Sequence, residues 1–162
     1  MALSGPERFT AATAAYDLSP RRMPDSTRTA AEAAQAVGCP VGAIVKSLVF
    51  VLVTPEGREP VLALVSGDRR ADLDRLAAAL GVERGGVEKA DATTVKASTG
   101  FSIGGVPPIG HPAPLRTVVD ADLLRFAEVW SAAGSAHDVF PADPHDLFTW
   151  SSGILAPIGV PV

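Results

Sequence analysis

Apolar residues recur along this chain in two rhythms, one helical and one continuous. Ala30, Ala33, Ala34 and Val37 fall at i, i+3, i+4 and i+7, behind a Thr29-Ala-Ala-Glu32 capping box and ahead of Gly38, so a helix is predicted there. Leu73, Leu76, Ala77 and Leu80 mark one face of a second helix, expected to start after Asp68 and to stop at Gly81. Phe9 to Leu18 reads as a short amphipathic helix ending before Ser19-Pro20, where proline disfavours helix at the preceding residue. Asp91 is placed to cap a short helix through Thr94 to Ser98, ended by Gly100. Leu123 to Glu128 is expected to form another, and Asp143-Pro144 a capped start for a helix from His145 to Trp150. The second rhythm is continuous: Leu48–Val53 and Val61–Val65 are β-branched runs suited to strands buried on both faces. Thr54-Pro-Glu-Gly57 between them predicts a hairpin, and Thr117–Val119 reads as a further strand. Gly100 to Pro114 holds four glycines and four prolines, which excludes regular structure.

Strands and helices alternate irregularly, which argues for a mixed α/β or α+β sheet rather than a parallel Rossmann wind. At 162 residues the chain fits one domain spanning 1–162, with no repeat or linker. Apolar residues make up 47% and charged residues 20%, a composition that folds rather than stays disordered. Its apolar runs are far shorter than the roughly 20 residues a membrane span needs. The N-terminal stretch lacks a basic region followed by an apolar one, so the cytoplasm is the expected location. A single cysteine, Cys39, excludes an internal disulfide and a zinc ribbon.

Lys46 is the first candidate for chemistry, because it stands at the mouth of an apolar strand, Val45-Lys-Ser-Leu-Val-Phe50. Its ammonium either snorkels into water or serves as a fixed cation facing a phosphate or carbonyl oxygen in a cleft. The second is Gly104-Gly-Val-Pro-Pro-Ile-Gly-His111. Glycine permits positive φ and close approach, while proline fixes φ and removes N–H groups, so together they make a stiff loop presenting chosen amides. Such a loop is either an ordinary surface connection or a cradle for an ester oxygen or a water.

Ile44-Val-Lys-Ser-Leu-Val-Phe50, Gly104-Gly-Val-Pro-Pro108-Ile-Gly-His111, Val119-Asp120 and Gly134-Ser-Ala-His137, in that order, resemble the YbaK-type aminoacyl-tRNA deacylases, which include the editing domain of bacterial prolyl-tRNA synthetases and its free-standing relatives. The resemblance covers about Thr27 to Ser151. It implies a single domain built on a strongly curved mixed sheet approaching a barrel and flanked by helices, acting as an ester hydrolase on the 3′ end of a mischarged tRNA. No metal, cofactor or protein nucleophile is implied, and neither DNA nor a membrane is a partner; prolyl-tRNA synthetase is the candidate protein partner.

By the same resemblance Lys46 is expected to engage the terminal adenosine and its phosphate, and Gly104, Gly105, Val106, Pro107 and Pro108 to embrace the aminoacyl moiety. His137, in Gly134-x-x-His137, matches a pocket histidine of alanine-editing members, and Asp120 a carboxylate that recurs after the loop-following strand. Ser47 departs from the Lys-Asn of alanine editors and the Lys-Thr of cysteine editors. The first expectation is tRNA-Pro carrying alanine, with cysteine, serine and threonine esters open. A non-catalytic module of the same fold, binding tRNA ends or a synthetase, is the alternative, and a hydrolase of other small esters a third.

A net charge of −4 does not suit a broad RNA footprint, but gripping a single-stranded end needs only local cations, for which Arg21, Arg22, Arg69, Arg70, Lys96 and Arg116 are available. Cys39 reads as a small buried hydrophobe, His111 as a brace for its loop and His145 as solvent-facing. Trp130 and Trp150 read as core or rim, and Asp72, Asp74, Arg69, Arg70 and Arg75 as a solvated helix face.

Overall fold

A computed structural model describes residues 2–162. Helix α1 (Gly5–Ala12) starts on a full capping box: Glu7 N–H donates to Ser4 Oγ, and Ser4 N–H donates to the Glu7 carboxylate. It therefore lies earlier than the helix expected over Phe9–Leu18. Thr13 ends it, its N–H and hydroxyl both turning back onto the Phe9 carbonyl, at 3.0 and 2.7 Å. Strand β1 (Arg21–Arg22) follows, then α2 (Ala30–Val37), with the predicted Thr29–Glu32 box and a left-handed Gly38.

Strands β2 (Val45–Thr54) and β3 (Gly57–Ser66) form the predicted hairpin, paired from Val45↔Ser66 to Thr54↔Gly57. The chain then makes β4 (Arg69–Ala71) before α3 (Leu73–Leu80), so the cap of α3 is Asp72 and not Asp68. Arg69 and Arg70 thus belong to a strand, not to the solvated helix face read from the sequence. Next come β5 (Val87–Lys89), α4 (Ala92–Thr99) capped by Asp91, and β6 (Arg116–Asp120). The helix expected over Leu123–Glu128 is a 3-10 turn at Ala121–Arg125, capped by Asp120 and closed by an i→i+3 bond from Phe126 N–H to the Leu123 carbonyl. After it lie β7 (Val129–Ser135), β8 (Asp138–Ala142), α5 (Pro144–Trp150), β9 (Ile154–Ala156) and β10 (Gly159–Pro161).

The main sheet is mixed, in the order β5-β2-β3-β6-β9; β3–β6 and β6–β9 are parallel and the rest antiparallel. Its two faces carry separate cores. Val45, Val49, Leu62, Leu64 and Val119 pack toward Phe9, Val95, Phe101 and Phe140. Phe50, Leu52, Val61, Ala63, Val65 and Val118 pack toward Leu76, Ala77 and Leu80 of α3. Burial on both faces accounts for the unbroken apolar runs of β2 and β3.

Strands β1, β8 and β7 form a second sheet, and β4 with β10 a third. The mixed fold agrees with the sequence reading, but the sheets do not close into a barrel. Strand β7 is hydrogen-bonded on this side only through a parallel bridge from Trp130 to Ile44, the residue before β2, and β5 pairs with β2 only at Phe50–Leu52. Between those two contacts the edge of β2 is open.

Candidate functional site

That opening is the mouth of a cavity of about 880 Å³, bounded by residues 44–50, by Trp130–Ala132 of β7 and by Ile103, Gly104 and Val106 of the glycine-proline loop. Its volume lies within the roughly 300–1,000 Å³ typical of small-ligand sites. Ala90 N–H donates to the Val49 carbonyl at 3.3 Å, so ladder alternation turns the backbone N–H and C=O of Ser47 toward the same open edge.

Lys46 and Ser47 both line the cavity although they lie on opposite faces of β2, Lys46 opposite Val65 and Ser47 opposite Leu64. The Lys46 ammonium donates to the Arg69 backbone carbonyl of β4, which leaves N–H groups of a fixed cation free for a ligand. Partial burial lowers its pKa from the ordinary lysine value, against the pull of the nearby Asp68 charge. Asp68 is itself held down in pKa: some burial opposes ionisation, but hydrogen bonds from Arg125 and Ser66 and the charges of Arg125 and Arg69 outweigh it. The hydroxyls of Ser47 and of Ser131 are buried and have no hydrogen-bond partner among the described residues. Both residues line the cavity although the hydroxyls themselves are covered, so a side-chain rotation would offer either one to an entering polar group.

The loop is not a surface connection. Residues 105–109 are buried throughout, and Val106 and Ile109 join the core that contains Phe9 and Phe101. A buried loop must satisfy its backbone, and two prolines lighten that demand by removing N–H groups. Gly105 N–H donates to the Ser102 carbonyl at 3.0 Å, and the Gly105 carbonyl accepts from Gly134 N–H. His111 Nε2 lies 2.8 Å from the Pro107 carbonyl, bracing the loop as read from the sequence. Gly104 sits at φ +91 facing the cavity, a conformation that would strain any residue with a Cβ.

Lys46, Ser47, Gly104 and Val106 therefore meet at one cavity. Gly105, Pro107 and Pro108 sit behind that wall and shape it without lining it. Gly134 lies in the bulged part of β7, packed on the backbone of Gly5. His137 stands in the β7–β8 turn, its N–H on Ser135 Oγ and its carbonyl accepting Met23 N–H, and does not line the cavity. Asp120 is fully buried at the end of β6, accepting from Gly159 N–H at 3.2 Å and Asp122 N–H at 3.4 Å, also outside the cavity.

Arg28 and Lys89 are not among the cations that the sequence singles out. Together with Lys46 and Arg70 they line the cavity, and among the described lining residues none is an aspartate or glutamate. Arg28, Arg70 and Lys89 form no ion pair with any described residue. In a chain of net charge −4 this concentrates positive potential at one opening. Trp130 completes the rim with the Arg21 guanidinium 5.1 Å from its ring centroid. No sequence period marks these positions: Arg28 precedes a helix cap, and Lys89 ends a strand of three residues.

No helix among the described residues is long and apolar enough to cross a membrane. The chain is 29% identical over 126 residues to the uncharacterized protein YwhH of Bacillus subtilis, covering 78% of this chain and 76% of that one. A candidate Cys-tRNA(Pro)/Cys-tRNA(Cys) deacylase, EbsC of Enterococcus faecalis, is 28% identical over 130 residues, covering 80% and 76%. The crystal structure of a candidate trans-editing enzyme for prolyl tRNA synthetase superposes with a TM-score of 0.86 at 41% identity, over 98% of this chain and 99% of that one. Residues 24–150, which carry every wall of the cavity, match the family model of the aminoacyl-tRNA editing domain, and to that family the chain belongs.

Proposed function

We propose that this protein is a trans-acting hydrolase that removes a small, wrongly attached amino acid from the 3′ end of a tRNA, with tRNA-Pro as the first candidate. The observation that carries this reading is the cavity itself: one opening that brings Lys46, Gly104 and Val106 together with three further cations and, among the described lining residues, no carboxylate. Cations without carboxylates suit a phosphodiester strand, and a single-stranded end requires only a few of them.

Hydrolysis adds water across the ester: the water oxygen bonds to the acyl carbon, the acyl C–O bond to the ribose breaks, and the ribose oxygen takes a proton. An activated ester of this kind needs a positioned water and a stabilised oxyanion more than it needs a nucleophilic side chain. The fixed Lys46 ammonium and amides facing the gap, such as Ser47 N–H, are suited to those tasks. The ribose hydroxyl beside the ester is placed to carry the proton.

The cavity wall of Val49, Val95 and Val106 favours a small side chain, and the unpartnered hydroxyls of Ser47 and Ser131, one rotation from the cavity, favour one that can hydrogen-bond. Cysteine meets both conditions, as the similarity to EbsC also suggests. Alanine meets only the first, and its expectation rested on His137, which stands outside the cavity lining. A synthetase pocket discriminates one methylene by only about 1–3 kcal/mol, so a separate hydrolytic site is a reasonable device against such errors.

The test is deacylation of a panel of tRNA-Pro species charged with cysteine, alanine, serine or proline. We expect the mischarged esters to be cleaved, Cys-tRNA-Pro fastest, with Pro-tRNA-Pro spared and Lys46→Ala folded but inactive. A wild type that binds tRNA yet cleaves none of the panel would make this a binding module.

A further inference from the structure

Two carboxylates are buried among the described residues and the site described above uses neither: Asp138 pairs with Arg22, whereas Asp120 has no cationic partner. Asp120 is fully buried, and its Oδ2 has no partner among the described residues. Oδ1 accepts from Gly159 N–H at the start of β10 and from Asp122 N–H in the following turn. Gly159 fits there because it lacks a side chain: a Cβ on it would run into Asp120 Oδ2. The carboxylate thus fastens the C-terminal strand to the end of β6.

Strand β10 in turn holds β4. Its register pairs Gly159 with Ala71, Val160 with Arg70 and Pro161 with Arg69. Asp72 N–H donates to the Ile158 carbonyl at 2.8 Å, which makes 72/158 a bonded pair. In an antiparallel ladder bonded and unbonded pairs alternate, so Arg70/Val160 is bonded and Arg69/Pro161 is not. A proline suits the unbonded position because it has no N–H to donate. The Arg69 carbonyl then points away from β10, and it is this carbonyl that accepts the Lys46 ammonium. From the same turn, Asp122 approaches the Arg69 side chain to 3.6 Å, steadying the residue from a second side.

We propose that Asp120 is a positioning residue for Lys46, acting through Gly159, the β10–β4 pair and the Arg69 carbonyl to fix where the ammonium stands in the cavity. The consequence for catalysis rests on the editing reading; the geometric linkage does not. Burial keeps the Asp120 carboxyl above the usual carboxylate range, against its two backbone donors. A carboxylate retained at such a cost, where no substrate reaches it, is in keeping with a part that holds another part in place.

Two readouts separate the linkage from the reaction. The first is acetylation of Lys46 by limiting acetic anhydride, measured by mass spectrometry against the exposed Lys89 and Lys96 of the same sample. The second is kcat and KM for deacylation. Asp120→Ala should raise the relative reactivity of Lys46 severalfold and lower kcat by on the order of 10- to 100-fold, with KM changed far less. Asp120→Asn keeps an oxygen for Gly159 N–H and should recover most of both. Gly159→Ala approaches the contact from the strand side and should reproduce the rise in Lys46 reactivity, which keeps the test decisive if Asp120→Ala fails to fold. A folded Asp120→Ala or Gly159→Ala protein with wild-type Lys46 reactivity overturns the proposal. If Lys46 reactivity rises as expected while the wild type cleaves no mischarged tRNA, the linkage stands and the editing reading falls.

Discussion

Gly134 N–H donates to the Gly105 carbonyl at 3.1 Å, joining the cavity loop to the bulged part of β7. The approach is close because Gly105 has no side chain: a Cβ there would lie 2.7 Å from Ser135 Cα and 2.8 Å from its nitrogen. Backbone cannot step aside as a flexible side chain can, so Gly105→Ala must push the loop into the cavity or loosen β7. We expect a loss of about 1–3 kcal/mol of stability, read by urea unfolding, together with a fall in deacylation larger than the stability change explains. Wild-type stability and activity in this variant would show that the contact can relax.

His111 braces the same loop and gives it a pH dependence. Burial lowers its pKa below the ordinary histidine value, although the hydrogen bond to the Pro107 carbonyl favours the charged ring. The folded value therefore lies below the unfolded value of about 6.5, so this group's contribution is complete above about pH 6.5 and is lost as pH falls through the folded value. Unfolding midpoints measured from pH 7.5 down to 5 should fall more steeply for the wild type than for His111→Gln. One proton limits the difference to about 1.4 kcal/mol per pH unit. Parallel profiles would assign the acid sensitivity elsewhere.

Arg28, Arg70 and Lys89 should each contribute to gripping the RNA strand. A cation that neutralises one phosphate of a single strand adds about 0.7 to the slope of log affinity against log salt. Binding of a tRNA acceptor strand by Arg28→Ala, Arg70→Ala or Lys89→Ala, titrated across salt by fluorescence anisotropy, should weaken and show a slope shallower by about that amount. Unchanged slopes in all three alanine variants would mean that the strand runs elsewhere.

The helices α2, α4 and α5 were legible because each carries its own punctuation, a Thr or Asp cap in front and, for the first two, a glycine behind. For α3 the apolar face and Gly81 were legible but the cap was not, because Asp72 sits among charges that read as a solvated face. The central hairpin was legible from unbroken apolar runs. Strands β1, β4, β5, β9 and β10 were not, since two or three residues cannot display a period. In β7 the small residues Ser131, Ala132, Ala133 and Gly134 give little contrast between faces. Lys46 and the 104–108 loop could be found because they lie in contiguous motifs. Arg28, Lys89 and Ser131 could not, because the cavity they line exists only where β5 stops short and β7 splays from β2, which is a property of packing between elements.

Ladder geometry makes the hairpin a ruler. Pro55 and Glu56 form the two-residue turn that sets Thr54 against Gly57 and, at the far end of β2, Val45 against Ser66. Slipping one strand by a single position would swap the faces of every side chain on it, turning the ammonium toward Leu64 and the serine toward Arg69. Inserting one residue at that distant tip should thus silence the cavity without touching it, since the tip counts out which neighbour of the pair carries the charge.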